Sequence, residues 1–340
     1  MVSFLAEYGL FLAKAVTVLV VLGVALLMIA GSARGGGHEP GLKVEKLNER
    51  YKKMARALRE AMLSKGAYKK QAKAEKKADK QDQKAAEKSE TARKRYFVLD
   101  FKGDIRASAV AQLREEISAI VSVAESSDEV ILRLENPGGA VHEHGLAASQ
   151  LLRLKERGIP LTVSVDKVAA SGGYLMACIA DRIVAAPFAV IGSIGVIFQM
   201  PNFNRALRER GVDYEQVTAG RYKRTVTMFG ENSDEDRDKL REELEEVHRL
   251  FKELVRTHRP SLDIDAVATG EYWYGTRAKE MGLIDELGSS DDYLMAAAEA
   301  GDLLQVSWHS KPKLQERFLS MMESSAEYFG LGSTGARLPR

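Results

Sequence analysis

One serine stands where chemistry is possible. Ser171 lies in Val168-Ala169-Ala170-Ser171-Gly172-Gly173-Tyr174. The small residues around it leave its hydroxyl uncovered, and the two glycines let the backbone come close to whatever the hydroxyl touches. That is the composition of a nucleophile turn, and equally of a helix start with serine as its N-cap. A serine hydroxyl near neutral pH is a weak nucleophile and needs a base within hydrogen-bond reach. Six histidines are present, His38, His142, His144, His248, His258 and His309. None lies between the serine turn and the long charged segment that carries His248. His142 and His144 follow a Pro-Gly-Gly turn and could fold back toward the serine. His248 and His258 sit among glutamates and arginines, where a surface position is expected.

Lysine is the better candidate base. Lys223 lies in Thr218-Ala219-Gly220-Arg221-Tyr222-Lys223-Arg224-Thr225, and Lys167, close to the serine in sequence, is its rival. A lysine can act as a base only if desolvation and nearby like charge bring it down from a free pKa of about 10.4. Arg221 and Arg224 could supply that charge, whereas arginine itself cannot take the proton.

The elements that must hold these residues alternate in type. Strands are predicted over Tyr96–Phe101, Glu129–Leu134 and Leu161–Val165, with a strand-like stretch at Tyr214–Val217. Helices are predicted over Val110–Val123, Leu146–Leu154, Asp234–His258, Asp291–Ala300 and Lys311–Tyr328. This order predicts a layered α/β domain with largely parallel pairing. In such sheets ligands gather where strands end and helices begin. Two glycine-bearing turns fall at such places: Glu135-Asn136-Pro137-Gly138-Gly139 and the Ser171 turn. The aromatic run Glu271-Tyr272-Trp273-Tyr274-Gly275 reads as packing in a wall or as part of a substrate pocket.

The chain has 340 residues, 45% of them hydrophobic, with a net charge of +2, so a sizeable core is available. A single cysteine, Cys178, excludes an internal disulfide and a cysteine-built metal site; its apolar surroundings predict a buried, inert thiol. Leu10–Ala30 is almost wholly apolar, with Lys14 its only charge. About twenty such residues are what a helix needs to cross a bilayer. Met1–Glu7 lack a basic lead-in, which favours an uncleaved anchor over a signal peptide. Arg34, Lys43, Lys46 and Arg50 follow that stretch, and the positive-inside rule then favours a cytoplasmic soluble part. Gly35-Gly36-Gly37 is a linker, and Val44, Leu47, Tyr51, Met54, Leu58 and Met62 recur at helical spacing. The lysine-rich run from Lys65 to Arg95 reads as a solvated connector, or as a surface for anionic lipid. With almost no aromatic residue interleaved, nucleic acid is not an expected partner. The expected division is an anchor at 1–34, a linker and basic helical segment at 35–95, a catalytic domain at 96–305, and a C-terminal helix and tail at 306–340.

Five motifs occur in a fixed order: Asn136-Pro137-Gly138-Gly139, Ala170-Ser171-Gly172-Gly173-Tyr174, Gly192-Ser193-Ile194-Gly195-Val196, Gly220-Arg221-Tyr222-Lys223, and Gly282-Leu283-Ile284-Asp285-Glu286-Leu287-Gly288. Together they resemble the S49 serine peptidases, the signal-peptide peptidase A group, over nearly all of Tyr96 to about Leu304. The resemblance implies that Ser171 is the nucleophile and Lys223 the general base, with the Ser193 hydroxyl orienting the lysine. It implies that the amides of Gly138 and Gly172 hold the oxyanion, and that no metal or cofactor takes part. The implied fold is a Clp-protease/crotonase-like β-β-α spiral that assembles as a homo-oligomeric ring, in which serine and lysine can come from adjacent subunits. The implied activity is endopeptidase cleavage, through an acyl-enzyme, of hydrophobic or membrane-associated peptides such as signal peptides. A bacterial inner membrane is the implied setting, with the family usually placed on its outer side, against the charge rule above. Two other readings stand beside this one: a crotonase-like acyl-CoA enzyme, which would lack a serine–lysine pair, and a catalytically inactive membrane scaffold.

Overall fold

The structure, a computed structural model, describes residues 8–19, 23, 41–88 and 93–309. Residues 8–19 form helix α1. Leu42–Trp308 make one compact unit. It opens with β1 (Gly41–Lys46), α2 (Leu47–Met62) and α3 (Lys65–Lys88). There follow β2 (Arg95–Lys102), α4 (Val110–Val121), β3 (Glu129–Glu135), α5 (Val141–Lys155), β4 (Leu161–Val165), β5 (Val168–Ala170) and α6 (Gly172–Ala177). Then come β6 (Arg182–Ala185), β7 (Val190–Gly192), α7 (Asn204–Arg208), α8 (Asp234–His258) and α9 (Ile264–Val267). The unit closes with β8 (Tyr272–Tyr274), α10 (Gly275–Glu280), β9 (Glu286–Leu287), α11 (Ser290–Ala300) and β10 (Asp302–His309).

Among the described residues the strands build a seven-stranded sheet, β1-β10-β2-β3-β4-β6-β9, and a three-stranded one, β5-β7-β8. From β10 to β9 every pairing in the large sheet is parallel. In the small sheet β5 and β7 run parallel and β8 antiparallel to β7. The chain passes twice from a strand of the large sheet directly to one of the small, β4 to β5 and β6 to β7. The fold is thus a mixed α/β structure rich in parallel pairing, as the alternation of elements predicts.

Period-2 alternation in β2 sends side chains to two cores. Phe97, Leu99 and Phe101 join Val110, Leu113, Ile117 and Ile120 of α4 and Leu151 and Leu154 of α5 in the larger one. Tyr96 and Val98 face Leu47 of α2 and Leu294 and Ala297 of α11 in the smaller. Three expectations need correcting. Val44 belongs to strand β1, and the helix expected from that residue begins at Leu47. Tyr214–Val217 is not a strand: it pairs with no neighbour among the described residues, and Val217 is 98% exposed. Strand propensity without a partner backbone leaves these groups to water. Helix α5 begins at Val141, one turn earlier than the apolar pattern indicates.

No described helix is long and apolar enough to cross a membrane. Helix α1 covers the first half of the expected anchor. The rest of Leu10–Ala30 (Gly23 apart), the glycine linker, and the helix expected over Lys311–Tyr328 lie outside the described residues.

Glu116 is buried on α4 and accepts a hydrogen bond from the Trp308 N–H at the end of β10, at 2.8 Å. Burial pushes its carboxyl up to about 7, against the Trp308 bond and with help from Asp100. A folded-state value above the unfolded one means stability that is complete in acid and is lost as pH rises through neutrality. Glu116→Gln keeps an acceptor for Trp308 without the buried charge. Its thermal unfolding should match wild type near pH 4 and exceed it by roughly 2 kcal/mol at pH 8.

Candidate active site

Ser171 connects β5 to α6, with φ 51° and ψ −119°. A non-glycine residue in this region is strained, and such strain gathers at functional sites. Strand, sharp turn and helix are the context in which a nucleophilic serine is presented. The residues that make the turn possible are small for reasons the structure shows. A Cβ on Gly173 would lie 2.0 Å from the Asn136 carbonyl oxygen, and one on Gly172 would lie 2.5 Å from the ring of His144. Gly172 starts α6, and no acceptor for its N–H is found among the described residues.

Ser193 occupies the matching place one strand over. Ala170 of β5 pairs with Gly192 of β7, so Ser171 and Ser193 leave adjacent parallel strands side by side. The Ser171 N–H donates to the Gly192 carbonyl at 2.8 Å. Ser193 also has positive φ, 50°. Its N–H donates to Glu271 O at 2.7 Å and its hydroxyl to Gly270 O at 3.3 Å. Trp273 packs against Gly192, where a Cβ would sit 2.9 Å from the indole. The aromatic run of β8 is therefore a wall at this residue, while Tyr272 and Tyr274 remain exposed and pack edge to face.

Gly138 faces the serine from the end of β3. A Cβ there would lie 2.8 Å from Ser171 Cβ, from Gly172 N and from Ala170 O, and its φ of 92° suits glycine. Its N–H, expected to be free for an oxyanion, is engaged: it donates to Asn136 Oδ1 at 2.9 Å. Asn136 is wholly buried, and its main chain ties β3 to β5, donating to Val168 O and accepting from Ala170 N–H. Its residue type alone does not mark it as part of the site. Its signal is the Asn-Pro-Gly turn, in which an asparagine side chain bonds the backbone two residues on.

His144 does fold back, although not to the serine hydroxyl. It is fully buried beneath the turn, with Nε2 3.2 Å from Asn136 Oδ1 and Nδ1 3.0 Å from Ala140 O. His142 is exposed beside Glu143. His248 and His258 are both half-buried on α8 rather than on the surface, and neither bonds Ser171. Lys167 is ion-paired with Glu135 at 3.0 Å. Cys178 is fully buried, its thiol pushed up to about 12 by burial, in keeping with an inert role.

Lys223 lies in a segment without regular structure between α7 and α8. It is exposed, and no hydrogen bond or ion pair joins it to Ser171, Ser193 or any other described side chain. Its neighbours are held. Arg221 pairs with Glu235, and the charged groups of Arg221 and Lys239 lie over the ring of Tyr222, 5.1 and 5.0 Å from its centre. The single chain thus brings together Ser171, Ser193, Gly138 and Gly172, and among the described residues Lys223 bonds none of them. Among the described residues no cluster of acidic, histidine or cysteine side chains could hold a metal ion.

Comparison with known proteins places this arrangement. Residues 3–151 match the model of the peptidase family S49 N-terminal region, and residues 153–304 that of peptidase family S49 itself. The chain is 48% identical over 331 residues to the probable protease SohB of Haemophilus influenzae, covering 95% of this chain and 94% of that one. It is 56% identical over 226 residues to the probable protease SohB of Buchnera aphidicola subsp. Acyrthosiphon pisum, 66% of this chain and 67% of the relative. It is 33% identical over 211 residues to protease 4 of Salmonella typhi, 61% of this chain and 32% of the relative. A serine held in a strained strand-to-helix turn, within a sequence this similar to such proteases along nearly its whole length, leads to one assignment: the chain belongs to peptidase family S49 and is a serine peptidase.

Proposed function

We propose that the chain is a membrane-anchored endopeptidase that cleaves hydrophobic or membrane-associated peptides, signal-peptide-like segments among them, through an acyl-enzyme on Ser171. The observation that carries this is the backbone of Ser171, strained at the junction of β5 and α6 and set in register beside Ser193. Lys223 is the general base and the Ser193 hydroxyl holds it. A lysine base must be desolvated to take the serine proton, and Lys223 is exposed in the single chain, so a second copy that covers it is the reading we favour, in a homo-oligomeric ring. Tyr222, with the cations of Arg221 and Lys239 over its ring, helps hold the segment that would be presented to that neighbour.

The Gly172 amide is the oxyanion donor ready in the free chain. That of Gly138 joins it when the oxyanion forms. A charged oxygen accepts a hydrogen bond about twice as strong as the neutral Asn136 carboxamide does, so the amide transfers as charge develops. The apolar stretch Leu10–Ala30 is the anchor, and α1 supports its helical start. Basic residues after it favour a cytoplasmic catalytic unit, with anionic lipid as a contact for the lysine-rich α3.

A fluorophosphonate probe tests the reaction class. It should label the full chain at Ser171, mapped by mass spectrometry of the adduct. An acyl-CoA enzyme or an inactive scaffold on the same fold predicts no adduct there.

A further inference from the structure

The floor beneath the serine turn holds a polar group that the proposed reaction leaves without a role. Asn136 Oδ1 is enclosed by protein: a Cβ on Gly103 would lie 2.2 Å from it, and the Asn136 amide nitrogen is turned to Met176 Sδ at 3.3 Å. This oxygen has two donors within reach, the Gly138 N–H at 2.9 Å and His144 Nε2 at 3.2 Å. The Gly138 N–H fixes which way the carboxamide faces, since only its oxygen can accept. His144 Nε2 must then carry hydrogen for the contact to be attractive. Ala140 O, beside Nδ1, sets the same demand on the ring but already accepts the main-chain N–H of His144 at 3.1 Å.

We propose that His144 is a positioning residue for the oxyanion site: it keeps Asn136 Oδ1 hydrogen-bonded when the Gly138 N–H leaves it for the developing oxyanion. Without a second donor, that transfer would strand a buried acceptor at the moment of reaction, a cost that falls on the transition state alone. With His144 in place, Oδ1 exchanges two donors for one and is never unpartnered. The His144 ring also lies against Gly172, so His144 borders both glycines of the oxyanion site, Gly172 directly and Gly138 through Asn136. The inference rests on the reading of Ser171 as nucleophile and Gly138 as oxyanion donor.

The test measures kcat and KM of the full chain with a p-nitrophenyl acyl ester, with thermal unfolding followed for every variant. His144→Phe keeps the ring and removes the donor; it should lower kcat about tenfold and leave KM within about twofold. His144→Gln sets an amide nitrogen where Nε2 stood and should recover kcat to within about threefold of wild type, although glutamine cannot act as a base. In an Asn136→Ala background, which removes the acceptor, His144→Phe should cost less than about threefold more. Full kcat in His144→Phe, a change confined to KM, or a His144→Gln variant as slow as His144→Phe overturns the proposal. Turnover that persists in Ser171→Ala overturns the nucleophile assignment beneath it, which is a separate result. If His144→Phe fails to fold, the Gln variant still decides, because only a donor role predicts its recovery.

Discussion

Ser171→Ala is expected to lower kcat for peptide or acyl-ester cleavage by about ten-thousand-fold or more, with the fold intact. The size follows from the role. A nucleophile that forms the covalent intermediate has no substitute in its site, and what survives its removal is the catalysis that oxyanion donors supply to attacking water. Alanine fits the position sterically, since among the described residues the hydroxyl forms no hydrogen bond and only its oxygen is deleted. The backbone strain at φ 51° stays, because alanine is no more at ease there than serine. Unfolding temperature should therefore hardly move while activity disappears. A Ser171→Ala chain that still cleaves at more than about a hundredth of the wild-type rate would place the nucleophile elsewhere.

Lys223→Ala is expected to cost about a thousandfold in kcat, the loss of a general base, and Lys223→Arg should be nearly as slow. Arginine keeps the charge but cannot accept the serine proton, so this pair separates a base from a merely electrostatic lysine. Both variants should fold as well as wild type, since Lys223 is exposed and makes no described side-chain contact. The exposure leads to a second measurement. If Ser171 of one copy works with Lys223 of the next, mixing inactive Ser171→Ala and Lys223→Ala chains and reassembling them should restore activity. Random assortment around a head-to-tail ring gives about a quarter of the wild-type rate. If the two residues meet within one chain, the mixture stays inactive.

Much of this fold is legible in the chain, and the places where it is not have local causes. β2, β3 and β4 are apolar runs that coincide with buried parallel strands, and α4, α8 and α11 keep their helical periodicity. β5, β7 and β8 are each three residues long, too short for any periodicity to register. β1 and Tyr214–Val217 show the converse. The first has a mostly exposed sequence and is held by its neighbour strand, whereas the second has strand-forming residues and no described neighbour strand. At the site, the Ser171 turn is evident from its small residues. The pairing of Ser171 with Ser193 depends on a register between two such short strands, which no local pattern encodes. His144 could be read only as a residue able to fold back. What it folds back onto, a carboxamide shared with Gly138, is a property of packing.

The order of strands in the large sheet bears on when this protease can come into being. β10, the last strand described, lies between β1 and β2, so the sheet's first strand has nothing to dock against until residues near 309 have been made. Such pairing between distant parts of a chain is slow to close. On the ribosome, at about 5 to 20 residues per second, nearly the whole polypeptide must emerge before that edge can be finished. Translation thus acts as a timer: a truncated or stalled product lacks the strand that locks the sheet and cannot complete the unit that presents the serine.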